Sequence, residues 1–289
     1  MRQIGVNASR PCEPDVRVRG RSAFSLIEIM VAVALLAVII VGLLAMFYQT
    51  QRAFRAGLAQ VDVLEGGRAA MELTLRDLQD VSVSFDTPVT NLEARPPVGY
   101  TPLTLDLPGN ETIQASLQDV WFIRRINDDW IGESYQVSNI VAGVGTLYRL
   151  LVTTNRYGVG ALADLLRTAS PASNSNFMQV AQGVAHFRLI PYDSKGLPVS
   201  SNDVPKGIFS MPQPNQQWSF AFSSNSLPPY LDVEMAVLEP KSVEQLRARA
   251  NNPAKATEYL RQQAGRIHFF KQRVALRNAP QYFSIANVP

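Results

Sequence analysis

Glu28 is the residue whose chemistry most needs an explanation, because it is a lone acid at the start of an apolar run. From Ile29 to Tyr48, twenty residues carry no charge. At about 1.5 Å of rise per residue, a helix of that length spans ~30 Å, the hydrocarbon core of a bilayer. A carboxylate immersed there costs on the order of a few kcal/mol. Either Glu28 sits at headgroup level near a helix N-terminus, where an acid is tolerated, or a positive group pairs with it. The rest of the chain offers little to catalysis. Its two histidines, His186 and His268, fall inside segments that read as strands and are expected to be packed or surface residues. Asn127, Asp128 and Asp129 supply oxygen ligands of the kind calcium takes, but their bunching reads first as a solvated turn. Arg124-Arg125 reads as a charged strand end, and Trp121, Trp130 and Trp218 read as core. No CxxC or HExxH spacing occurs, and no Gly-rich loop follows a strand. Catalytic residues, metal ligands and cofactors are therefore not expected, and the chain is not read as an enzyme.

The charge is unevenly placed. Residues 1–23 hold five of the 27 Lys and Arg and two of the 24 Asp and Glu, so the remaining 22 and 22 cancel. The formal net charge of +3 thus belongs to the N-terminal flank and is poor evidence for nucleic-acid binding. Positive charge just before an apolar run favours a cytoplasmic N-terminus and export of the chain beyond the run. The only cysteine, Cys12, lies in that flank, so the exported part is expected to hold no internal disulfide.

Proline partitions the elements that position Glu28. Pro14 and Pro88 bracket 73 residues without proline, a window that permits one long helix. Beyond Tyr48 the pattern turns amphipathic, with Phe54, Val61 and Leu75 in one heptad row and Leu64, Met71 and Leu78 in the other. Arg68 interrupts the first row. Gly66-Gly67 costs about 2 kcal/mol relative to alanines, which predicts a weak point or kink. Most of this stripe is expected to dock on the protein's own sheet, its upper portion nearer the membrane being the alternative surface for helices of other subunits. From residue 81, runs at 102–107, 119–126, 145–154, 179–193, 217–223, 230–239 and 266–278 read as strands of a mainly antiparallel assembly. Residues 240–265 read as one or two polar surface helices, and 168–176 and 200–216 as loops.

Residues 21–33, RSAFSLIEIMVAV, resemble the processing site of type IV prepilins and type II secretion pseudopilins. In that family a basic leader ends at a small residue, usually Gly, followed by Phe-Thr-Leu-Ile-Glu and an apolar helix. Ala23 stands at the last leader position here, Phe24 becomes the mature first residue, and Glu28 falls fifth. The resemblance implies cutting between Ala23 and Phe24 by a prepilin peptidase, then N-methylation of Phe24 by the same class of enzyme. It also implies that Glu28 pairs with the Phe24 amine of a neighbouring subunit during assembly. More loosely, 65–80, 183–196, 226–239 and 270–280 resemble J-type minor pseudopilins and W-type minor pilins.

The expected organisation is therefore a basic leader (1–23), a long helix (24–80, with 24–48 transmembrane and 49–80 amphipathic) and a periplasmic β-rich head (81–289). The fold class is α+β, with a pilin-like head of two sheets. The resemblance implies a minor pseudopilin, a structural tip subunit of a type II secretion pseudopilus. Its partners would be the peptidase, the major subunit, other minor subunits and the inner membrane, with no nucleic acid. It would begin as a single-pass inner-membrane precursor and then enter a periplasmic filament. A minor pilin of a type IV pilus and a membrane-anchored periplasmic enzyme or binding protein are the alternatives.

Overall fold

A computed structural model describes residues 25–84, 89–100, 102–107, 111–155, 158–199, 208–210 and 219–280. The chain divides into two compact units, Met1–Arg55 and Ala56–Pro289. Helix α1 (Leu26–Gln79) runs through both. In the first unit its apolar side chains face outward, and an 18-residue window reaches a mean hydropathy of 3.1 with none of it buried. That helix is long and apolar enough to cross a membrane.

In the second unit the order is β1 (Thr90–Arg95), β2 (Leu103–Leu107), β3 (Glu111–Ala115), β4 (Asp119–Ile126), β5 (Asp129–Val141) and β6 (Val144–Thr154). Then come α2 (Val159–Thr168), β7 (Met178–Tyr192), β8 (Ile208–Ser210), β9 (Ser219–Ser223), β10 (Tyr230–Leu238), α3 (Pro240–Arg247), α4 (Pro253–Gln262) and β11 (Ile267–Ala275). The architecture is a long apolar helix followed by an antiparallel β head.

The head corrects one expectation. Among the described residues it forms one curled nine-stranded sheet, β11-β10-β7-β6-β5-β4-β1-β9-β8, rather than two sheets; β2–β3 is a separate hairpin. The reason lies in β7, whose fifteen residues serve both halves. Its first part pairs with β6 from Met178 to Val184, and its second with β10 from Val184 to Tyr192. Register shifts mark the handover, and Gly183 sits there at φ +75°. A Cβ at Gly183 would lie 2.7 Å from the Leu238 carbonyl oxygen and 2.6 Å from Val243 Cγ2. This bulge fuses two half-sheets into one. Gly183→Ala is expected to lower stability by about 2–4 kcal/mol through left-handed strain and crowding. Urea unfolding of the full chain in detergent measures it, and a loss below ~1 kcal/mol would contradict the bulge's role.

One sheet face packs on α1 and the other is covered by the shorter helices. On the first face, Val63, Ala70, Met71, Leu75 and Leu78 of α1 meet Phe122, Tyr135, Leu147, Phe187 and Val233, among others. The sequence stripe docks only in its lower part. Phe54, Val61 and Leu64 remain 67%, 49% and 40% exposed. The α-helix continues through Gly66-Gly67, and Gly67 has a packing reason to be glycine. A Cβ there would lie 2.5 Å from Cε2 of the Phe270 ring. On the outer face, α2 sets Leu162 and Leu166 on the β4–β6 half, while α3 and α4 cover the β7–β10–β11 half with Val243, Leu246, Tyr259 and Leu260.

A charged cluster lies inside the α1–sheet interface. Asp77 of α1 contacts Arg149 Nε at 2.8 Å and accepts a 2.5 Å hydrogen bond from the Tyr135 hydroxyl. Glu133, fully buried, contacts Arg124 at 2.6 Å and Arg149 at 3.3 Å. The two Nε contacts are close charge pairs outside hydrogen-bond alignment. Burial and the Asp77 charge push the Glu133 carboxyl up to about 7, against the pull of both arginines. Burial likewise pushes Asp119 up to about 6, despite the Val137 amide and Arg95. For Glu234 burial acts upward, but hydrogen bonds from His186 and Lys271 prevail and hold it down at about 2.

The pH dependence comes from these directions. Between pH 4.5 and 7 the folded state keeps a proton on Glu133 that the unfolded chain has lost, so stability falls as pH rises through that window. Glu234 acts oppositely, its contribution being present above pH 4.5 and lost as pH falls toward 2. The head is therefore expected to be most stable near pH 5. Its urea midpoint should be lower at pH 8 than at pH 5, and Glu133→Gln should flatten that slope. A midpoint that rises steadily from pH 5 to 8 would refute the assignment.

Candidate functional site at the N-terminal helix

The site is built from the chain's own start signals for a helix. Ser25 stands immediately before α1, and Leu26, Ile27 and Glu28 form its first three helical positions. Glu28 reaches back to accept a hydrogen bond from the Ser25 backbone N–H, Oε2 to N 3.0 Å, while the Glu28 N–H donates to the Ser25 carbonyl at 3.0 Å. This is the acid arm of a capping box, S-x-x-E, in which a side chain satisfies an amide that the helix leaves open. A negative group there also faces the positive end of the helix dipole. The spacing Ser25-x-x-Glu28 is visible in the sequence, and it is the signal by which this capping role, not among the sequence expectations, could have been found. Among the described residues, Glu28 Oε1 accepts no hydrogen bond, so one carboxylate oxygen is engaged and the other is open.

Ala23 and Phe24 lie outside the described residues. Beyond Glu28 the helix presents exposed apolar side chains on every side, including Ile29, Val33, Leu36 and Ile40. A helix apolar all round is one that lipid or other helices surround.

The decisive observation comes from comparison with known families. Residues 18–44 match the family described as Prokaryotic N-terminal methylation motif. The chain carries a prokaryotic N-terminal methylation motif. The match takes in Ala23, Phe24, Glu28 and the first turns of α1, and ends well before the β head. The motif implies processing by a prepilin peptidase, and proteins that carry it are in general structural subunits rather than enzymes. Together with the apolar helix it is consistent with anchoring in the inner membrane. No curated protein and no solved structure matches the chain.

The other sequence candidates sit apart from this segment and serve the head. His186 is buried, its Nδ1 accepting from the Ser116 amide at 3.0 Å and its Nε2 lying 3.3 Å from Glu234. With Nδ1 an acceptor, Nε2 carries the proton and donates to that carboxylate. His268 lies half-buried on β11, 3.9 Å from Glu239. Asn127 and Asp128 form the tight turn of the β4–β5 hairpin, with Asn127 at φ 56°, and Arg125 bonds the Asn127 carbonyl and Asp128. Arg124 turns inward to Glu133. Trp121 and Trp130 are core residues beneath α2, and Trp218 lies outside the described residues.

Proposed function

We propose that the chain is a minor pseudopilin, a structural tip subunit of a type II secretion pseudopilus assembled through its N-terminal helix. The methylation motif over residues 18–44 supports this reading, and a cut between Ala23 and Phe24 would leave Glu28 fifth in the mature chain. Cleavage would free a positive amine at Phe24. A neighbouring subunit's Glu28 could pair with it, turning two costly charges in lipid into one ion pair that sets register. The head lends support of a second kind. The three head segments that resemble J-type subunits, 183–196, 226–239 and 270–280, fall on β7, β10 and β11, which are neighbours in the sheet. The end of the last one holds the end of α1. The Arg277 amide donates to the Gln79 carbonyl at 3.1 Å, and the Asn278 amide group reaches the Val81 carbonyl at 3.2 Å. These bonds close a helix terminus whose carbonyls would otherwise lack partners.

The test is intact-mass and N-terminal analysis of the chain expressed with and without a prepilin peptidase. The expected product begins at Phe24 and carries one added methyl group. A leader that stays on beside an active peptidase would sink the filament reading and leave a membrane-anchored periplasmic protein. Loss of secretion, rather than of pili, on deletion of the chain would favour the pseudopilus over a type IV pilus.

A further inference from the structure

The α3–α4 excursion is a basic platform within an otherwise balanced head. Between residues 240 and 266 there are six cations, Lys241, Arg247, Arg249, Lys255, Arg261 and Arg266, against two acids, Glu244 and Glu258. All six cations are exposed. Among the described residues none of the six lies within 4.0 Å of a carboxylate. Elsewhere in the head Arg124, Arg125, Arg149, Arg167, Arg273 and Arg277 each hold one. The two helices are not loose appendages. Val243, Leu246, Ala256, Tyr259 and Leu260 are buried against the outer sheet face, so the charges ride on a fixed support.

Local helix physics explains only part of the pattern. Arg247 and Arg261 lie in last turns, where a cation suits the helix dipole. Lys241 and Lys255 lie in first turns, where the dipole favours an acid, and neither first turn contains one. Lys255 is thus placed against its own helix with no acid at the α4 N-terminus, while Lys241 follows the acid Glu239 at the α3 N-cap.

We propose that the α3–α4 face is a docking surface for an acidic face of another protein. The observations favour that partner over a membrane or a nucleic acid. No large apolar side chain is exposed along 240–266 to enter a bilayer. The one aromatic ring, Tyr259, is capped by the Arg249 guanidinium at 4.4 Å and offers no stacking surface for bases. The rest of the chain from residue 24 onward holds 16 cations against 20 acids, which would repel an extended polyanion but not a local acidic patch. The proposal stands independently of the filament reading, since it concerns the unassembled chain.

The test uses the full chain in a neutral detergent, with a fluorescein-labelled six-residue poly-glutamate peptide, short enough to stay on the platform, as the acidic-protein probe and anisotropy as the readout. Lys255→Glu with Arg261→Glu, two side chains with no carboxylate partner, is expected to weaken binding at least ~10-fold. Arg68→Glu with Lys195→Glu, exposed cations outside the platform, should leave it unchanged. High salt should abolish binding by the parent chain. An equal loss in both double variants would overturn the proposal, because the attraction would then be diffuse. Absence of binding by the parent chain at low salt would overturn it too. So would tighter platform-dependent binding of phosphatidylglycerol vesicles or of a double-stranded oligonucleotide than of poly-glutamate.

Discussion

Replacing Arg149 by leucine is expected to destabilise the head by about 3–5 kcal/mol, a large share of a typical folding free energy. Among the described residues, Arg149 is the one cation that touches both acids of the interface cluster, Asp77 on α1 and Glu133 on β5. At pH 8, where Glu133 is ionised, Asp77 still keeps the Tyr135 hydroxyl and Glu133 keeps Arg124 in the variant, but the buried set carries one negative charge too many. The cost comes from stranding a charge rather than from losing an attraction. Neutralising the acids should therefore restore what the leucine removes. Arg149→Leu combined with Asp77→Asn and Glu133→Gln is expected to recover most of the loss, although Arg124 then lacks its partner. Urea unfolding followed by the emission of buried Trp121 and Trp130 reads both variants. If Arg149→Leu alone costs less than ~1 kcal/mol, water reaches the cluster and the buried-charge account fails.

This cluster also marks where the sequence stops being legible. Alternating or apolar runs mark strands: β11 alternates with one face exposed, β4 and β10 are mostly apolar and buried on both faces, and β4, β6, β10 and β11 match the runs so read. β5 does not. Its sequence DWIGESYQVSNIV puts Glu133, Ser134 and Gln136 in buried positions, because both faces are covered, by α1 on one side and α2 on the other. Polar residues satisfied by distant partners look like loop in one dimension. Helix α2 is hidden for a related reason. Its apolar residues pack on Trp121, Ile123, Trp130 and Leu150 from distant strands and over the notch that Gly132 leaves, where a Cβ would lie 2.6 Å from Leu166 Cδ1. The single sheet is hidden too, since a bulge at Gly183 is a property of two ladders at once. The N-terminal site is legible because its signal is local: a basic flank, a small residue, an aromatic and an acid at fixed spacing before an apolar helix. The capping role of Glu28 is not among the sequence expectations, although its signal, Ser25-x-x-Glu28, is equally local.

That role makes Glu28 separable into two functions by the right substitutions. Glutamine keeps a side-chain oxygen that can accept the Ser25 amide, and it serves in capping boxes as glutamate does. It removes the charge. Alanine removes both. If the open carboxylate oxygen receives the Phe24 amine of a neighbouring subunit, Glu28→Gln should still be cleaved at Ala23 and anchored in the membrane. Its recovery with the major subunit in the sheared filament fraction should nevertheless fall at least ~10-fold, about as far as that of Glu28→Ala. If Glu28 only caps its own helix, glutamine should assemble like the parent chain and alanine alone should fail, by the ~1 kcal/mol that a lost cap costs. Mass analysis of the mature N-terminus in each variant separates a defect in assembly from one in processing. A charged pair is the stronger expectation on energetic grounds. A cap by itself is satisfied equally well by a neutral side chain, which lipid admits at lower cost than a carboxylate. Glutamate immersed in lipid would be costly for its own helix, and under the proposed pairing a cation from a neighbouring subunit would offset that cost.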